Sequence, residues 1–144
     1  MKNLIKELNK EVANLGVLYV KLHAYHWNVS GKQFKNLHEL FEEYYNEVTE
    51  QLDEVAERVL QLEGYPLATL KEYLEVTTLN EATTKENTEE MIKEILNNFE
   101  QLNNEFKEII KLAQELEDEV TADIFIGFQK TYQKNIWMLK ATLK

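Results

Sequence analysis

One uninterrupted stretch limits what this chain can fold into. Residues 34–63 read FKNLHELFEEYYNEVTEQLDEVAERVLQLE, and the first breakers after them are Gly64 and Pro66. Such a run predicts one long helix. Along it, Leu37, Phe41, Tyr44, Val48, Val55, Val59 and Leu62 recur at helical spacing and predict a core-facing stripe. One residue further on lies a second line of His38, Glu42, Tyr45, Thr49, Asp53, Ala56, Glu57 and Leu60. Its middle is small or apolar, and each end carries a pair of residues able to ligate a metal. A face meant only for water would be more evenly charged.

The spacing of those pairs is informative. His38 and Glu42 are four residues apart, as are Asp53 and Glu57, so each pair stacks on one side of the helix. Glu42 and Asp53 are eleven residues apart. That is close to three whole turns, which puts both pairs on one face but roughly 16 Å apart along the axis. Metal–ligand bonds are only about 2 Å long, so one ion cannot join both pairs of a single helix. Two copies packed antiparallel about a two-fold axis near residues 47 and 48 would set His38 and Glu42 of one chain against Asp53 and Glu57 of the other, twice per dimer. Isologous pairing of this kind is the commonest way in which subunits associate.

The rest of the chain supplies a bundle around this helix. With only 4 Gly and 1 Pro in 144 residues, turn signals are few and helices are favoured. The first helix is expected over residues 3–29, with an inward line of Leu8, Val12, Leu15, Tyr19, Leu22, His26 and Val29. Ser30, Gly31 and Lys32 form the turn, and the second helix returns antiparallel. His26 and His38 lie equally far from residue 32, so the hairpin makes them neighbours. After Pro66, LATLKEYLEV predicts a short amphipathic helix in a crossover, and residues 77–87 a polar loop. The third long helix starts at Thr88, with Thr88 or Asn87 as its cap. It carries Ile92, Ile95, Phe99, Leu102, Phe106, Ile109, Ala113 and Leu116 inward. Acidic residues 115–119 mark a corner, and a fourth helix presents Phe125, Phe128, Tyr132, Ile136 and Leu139. Four long helices with a short extra helix between the second and third make an all-α, ferritin-like four-helix bundle. The whole chain, residues 1–144, is expected to be one domain.

Charge narrows the partners. The formal net charge is −10, with no lysine-rich tail: Lys2, Lys6 and Lys10 are interspersed with acids, and Lys140 and Lys144 stand almost alone. Tight binding to DNA or to an anionic membrane needs clustered basic residues, whereas an acidic surface suits a collector of cations. The chain has no cysteine, which removes disulfides and thiolate metal sites. No stretch is apolar enough to span a membrane, and the amphipathic N-terminus with Glu7 and Glu11 is unlike a secretion signal. A cytoplasmic protein is the expectation.

Two readings of His26, His38, Glu42, Asp53 and Glu57 stand side by side. In one, the acids are solvated helix faces and the histidines are satisfied, partly buried residues. In the other they form a metal site without thiolates, suited to Fe, Mn or Zn. The Glu-x-x-His pattern of di-metal sites inside bundles is absent: Val20, His23 and Lys35 stand three residues before His23, His26 and His38. A metal site here would therefore not be the ordinary one inside a bundle, which agrees with the pairing between chains described above.

The segment HAYHWNVSGKQFKNLHELFEEYYNEVTEQLDEVAERVLQLEGYP resembles the signature of the Dps proteins, ferritin-like mini-ferritins that protect bacterial DNA during starvation. The matching pieces are His26-Trp27, Leu37-His38-Glu39 and Asp53-Glu54-Val55-Ala56-Glu57-Arg58, and VTADIFIGFQK from Val120 onward also fits. The resemblance implies a homo-oligomeric shell of twelve subunits. In it, a ferroxidase oxidises Fe(II), preferentially with hydrogen peroxide, at two-fold interfaces and stores ferric mineral. By position it assigns iron to His26, His38 and Glu42 of one chain with Asp53 and Glu57 of its mate. Many members have Asp where this chain has Glu42. Trp27 is either interfacial packing or a nearby electron donor. Asp118, Glu119 and Asp123 either offset a helix dipole or, as in the family, line a three-fold pore for iron entry. A DNA-condensing protein and a helical interaction bundle without chemistry are the alternative functions.

Overall fold

The computed structural model describes residues 1–144, and they form five helices and no strand. These are α1 (Lys2–Asn28), α2 (Phe34–Gln61), α3 (Leu70–Val76), α4 (Thr88–Glu115) and α5 (Glu119–Thr142). The order is the expected one, four long helices with a short one between the second and third.

Leu8–Met91 form one compact unit. Its frame is the α1/α2 hairpin, whose tight turn places Gly31 at φ 101, a conformation open to glycine. The register centres on residue 32 as the spacing predicts: ring pairs His26–His38 and Tyr19–Tyr45 face each other across it. On α2 the buried line is Leu37, Phe41, Tyr44, Val48, Gln51, Val55 and Val59. Gln51 fills the gap left in the apolar stripe, and Leu62 is only half-buried.

On α1 the inward line differs from expectation. Tyr19 is 38% exposed, while Leu18 and Tyr25 are buried. The reason is that α1 is covered on more than one side, so two lines of residues at threes and fours are both apolar. Its inward polar residues hold the crossover. Asn9 Nδ2 donates to the Tyr65 carbonyl and Asn9 Oδ1 accepts from Leu67 N, at 2.9 and 3.0 Å. Asn14 Oδ1 accepts from the Thr77 hydroxyl at 2.6 Å and from Thr78 N at 2.8 Å. Lys21 Nζ donates to the Asn80 carbonyl at 2.8 Å. Between these clamps, α3 lays Tyr73 on Gly16 so closely that a Cβ at Gly16 would meet the ring at 2.5 Å.

Capping sets the ends. Helix α3 begins at Leu70 rather than Leu67 because Thr69 and Glu72 form a capping box. Helix α4 is capped by Asn87, whose side chain accepts from Glu90 N while its own N–H donates to the Glu90 carboxylate, both at 2.9 Å. Thr88 instead donates its hydroxyl to the Ser30 carbonyl at 2.8 Å. No membrane-crossing helix is present: none is long and apolar enough.

Met1–Glu7 and Ile92–Lys144 form the second compact unit. Here α4 and α5 run antiparallel around a ring cluster in which Phe106 touches Phe125, Phe128 and Tyr132 at 4.9–5.6 Å between centroids. Truncating a buried ring such as Phe106 to Ala costs about 3–5 kcal/mol. Two expected core residues lie outside it: Leu116 is exposed and Ile136 only half-buried, because the buried line of α5 passes through Asn135 instead.

Helix α2 ends with Glu63 at φ 67, while Gly64 N donates to the Val59 carbonyl at 2.9 Å. This is the left-handed closing position that favours glycine. The side chain there opposes its backbone by about 1 kcal/mol. Glu63→Gly is therefore expected to stabilise the fold by about 1 kcal/mol, read as a higher urea midpoint with an unchanged slope.

Candidate metal centre

The site begins with two imidazoles clamped to each other's backbones. His26 Nδ1 lies 2.6 Å from the His38 carbonyl, and His38 Nδ1 lies 2.7 Å from the His26 carbonyl. A carbonyl oxygen only accepts, so each Nδ1 carries the proton and donates. In the neutral ring this leaves the lone pair on Nε2, the tautomer a metal needs. The rings stack at 3.7 Å with 13° between planes, and Phe34 stacks on His38 at 5.0 Å.

Glu42 faces this pair. Its Oε1 is 3.9 Å from His26 Nε2, with the His26 side chain 8% exposed and that of Glu42 51% exposed. With the imidazole neutral, both atoms present lone pairs to the same gap. A gap of this width can admit one cation, whose bonds to such donors are about 2 Å long. The donor set, imidazole nitrogen and carboxylate oxygen, fits Fe, Mn or Zn. Within one chain, however, no group of three or more His, Cys, Asp or Glu comes together to hold a metal. Asp53 and Glu57 are exposed on the same helix, about 16 Å further along its axis.

Several aromatic residues that the ligand pattern did not single out surround the pair. Tyr45 stacks on His23 at 3.7 Å and 21°, and stands edge-on to His26 at 5.3 Å and 85°. Burial first, then the negative charge of Glu42, pushes the Tyr45 phenol above its ordinary value, so it keeps its proton. His23 repeats the tautomer of its neighbours by donating from Nδ1 to the Tyr19 carbonyl at 2.7 Å. Trp27 is 68% exposed and meets His23 edge-on at 5.5 Å. The sequence signal for Tyr45 was its place on the second line of α2, and the hairpin register that paired His26 with His38 also brings it near His23.

The acids at the start of α5 divide by role. Asp118 caps the helix, accepting from Thr121 N at 3.0 Å and from the Thr121 hydroxyl at 2.6 Å. Glu119 and Asp123 are exposed.

Residues 5–144 match the family model described as a ferritin-like domain. The DNA protection during starvation protein 2 of Bacillus anthracis is 44% identical over 142 residues, covering 99% of this chain and 97% of that protein. The crystal structure of a Dps protein from Bacillus brevis superposes with a TM-score of 0.98 at 44% identity, covering 99% of this chain and 96% of that one. A Dps structure from Vibrio cholerae O1, described as a member of a broad superfamily of ferritin-like diiron-carboxylate proteins, gives 0.96 at 34% identity, covering 99% and 90%. The fold is thus the ferritin-like four-helix bundle with its short extra helix. Within that class the chain belongs to the Dps family.

Tyr25, next to His26, is tied to the loop before α4, its hydroxyl donating to Glu86 at 2.6 Å. Burial raises the Glu86 pKa, but hydrogen bonds from Tyr25 and then Thr83 outweigh it and hold the carboxyl at about 2 against an ordinary 4.5. A folded pKa below the unfolded one stabilises above about pH 4.5, and the stabilisation fades as pH falls toward about 2. The stability gap between wild type and Glu86→Gln is therefore expected to be widest near neutral pH and to narrow below pH 4.5. Urea midpoints measured across that range test this, and a gap independent of pH refutes it.

Proposed function

We propose that this chain oxidises Fe(II) with hydrogen peroxide at sites shared by two subunits, and stores the ferric product inside a shell of twelve copies. The observation that carries the reading is the clamped His26/His38 pair, with Nε2 of His26 opposed to Glu42. Family membership and the diiron-carboxylate description of the Vibrio cholerae relative support it. Each chain acts as a single ferritin-like domain over residues 1–144, in the cytoplasm.

In this reading His26, His38 and Glu42 bind Fe(II) together with Asp53 and Glu57 of the partner subunit. In one chain these donors do not close around a single point as a group of three or more, and in this reading the partner subunit completes the site. The reciprocal hydrogen bonds hold both imidazoles ready before metal arrives, so little reorganisation is needed on binding. Carboxylates neutralise the charge that grows as Fe(II) becomes Fe(III). Two iron ions supply two electrons to one peroxide, which takes up two protons and leaves as two waters without releasing hydroxyl radical. Glu42 keeps the charge of the Asp found in many members but reaches one methylene further. Glu119 and Asp123, with Asp118 beside them, draw iron toward the interior, and Trp27 serves as a reserve electron donor at the site's edge.

Anaerobic Fe(II) is expected to bind, and added peroxide to be consumed at about one per two irons, as two metals acting together require. Oxidation no faster than in protein-free buffer refutes the reading. The shared site has its own test. A His38→Ala/Glu42→Ala variant and an Asp53→Ala/Glu57→Ala variant are each expected to be inactive. Shells containing both variants are expected to recover up to about a quarter of wild-type activity, because one site of each mixed two-fold pair is whole. Proven mixing without recovery assigns the ligands to a single chain.

The charge of −10, with lysines interspersed among acids, opposes DNA condensation. No DNA retardation is expected at physiological salt, and a retarded band near neutral pH without added divalent metal overturns that expectation.

A further inference from the structure

The imidazole of His26 is the most buried of the proposed ligands, and its own hydrogen bond does not fully orient it. One N–H···O contact at Nδ1 fixes that nitrogen but leaves the ring free to tilt about the bond. The stacked His38 covers a face at 3.7 Å, yet His38 hangs from the mirror-image hydrogen bond and can tilt with it. A third contact, from a group anchored elsewhere, is needed to hold the pair.

Tyr45 makes that contact. Its ring stands edge-on to His26 at 5.3 Å and 85°, the T-shaped arrangement aromatic rings prefer. It is itself braced from the other side. Its face lies on His23 at 3.7 Å and 21°, and Tyr19 meets it edge-on at 6.3 Å and 72°. His23 in turn is tied to the α1 backbone by its Nδ1 hydrogen bond to the Tyr19 carbonyl. A line of contacts thus runs from the backbone of α1 through His23 and Tyr45 to His26, independent of the His26/His38 clamp. Every contact in it that Tyr45 makes is ring to ring.

We propose that Tyr45 is a positioning residue that fixes the tilt of the His26 ring, and with it the aim of Nε2 at the metal, through its aromatic ring rather than its hydroxyl. The part concerning the metal rests on His26 being an iron ligand. Groups that orient a ligating histidine typically contribute 10–100-fold to metal affinity.

The test uses the assembled, metal-free protein and three variants: Tyr45→Phe, Tyr45→Ala and Tyr45→Leu. The last keeps bulk on α2 without a ring, and serves if the alanine variant fails to assemble. Hydrogen exchange at the imidazole C2 position, read by mass spectrometry, reports how tightly each histidine is held. Exchange at His26 is expected to quicken several-fold in Tyr45→Ala or Tyr45→Leu and to stay at the wild-type rate in Tyr45→Phe. Co(II), the probe metal, is expected to bind about tenfold more weakly to the ringless variants, with a shifted visible spectrum, and as in wild type to Tyr45→Phe. Unchanged His26 exchange in a ringless variant overturns the proposal. Equal damage from Tyr45→Phe overturns it too, by assigning the role to the hydroxyl. If His26 loosens in a ringless variant but the wild-type protein binds no Co(II), the ring-holding role stands and the iron reading falls.

Discussion

The register of the α1/α2 hairpin is the constraint on which the site depends. Two backbone carbonyls and two Nδ1–H groups satisfy one another across it, at 2.6 and 2.7 Å. A slip of one residue would rotate each histidine by about 100° around its helix axis and break both bonds at once. Each bond adds about 1 kcal/mol of net stability. Their larger effect is on the protonation pattern, because they leave the lone pair of each neutral ring on Nε2. The bonds that lock the hairpin thus also leave the Nε2 atoms of both neutral rings open to accept.

The crossover is held in a different manner. Asn9, Asn14 and Lys21 sit on the side of α1 that faces it and reach three successive points of the segment from Tyr65 to Asn80. Buried polar groups are tolerated when hydrogen-bonded, and here the partners are backbone groups and threonine hydroxyls of a segment with little regular structure of its own. The side chains of α1 thus replace the ladder that a longer α3 would have supplied. Apolar packing completes the attachment through Tyr73 on Gly16.

Much of this was legible beforehand, for identifiable reasons. Helix order followed from periodicity and sparse breakers, and the His26–His38 pairing followed from counting outward from the turn. The inward line of α1 was misassigned at Tyr19 because a helix covered on several sides offers more than one apolar line, and spacing alone does not choose between them. The Asn14 and Lys21 clamps were illegible because their partners lie 64 and 59 residues away, beyond any local pattern. The end of α2 was read from Gly64, yet the left-handed residue is Glu63. Asn87 rather than Thr88 caps α4 because Glu90 answers it from three residues on. The role of Tyr45 needed both helices, since its ring pairs are with α1.

Lys21 carries a consequence of its own. Its side chain is almost wholly enclosed, at 2% exposure, and its ammonium is bound to a carbonyl of the crossover. Reagents that acylate amines need an accessible nitrogen, so this lysine is expected to stay silent while its exposed counterparts react. Once the crossover lifts from α1, the same amine meets solvent and becomes reactive. The chain therefore contains a built-in reporter: the label that Lys21 acquires follows the opening of that segment.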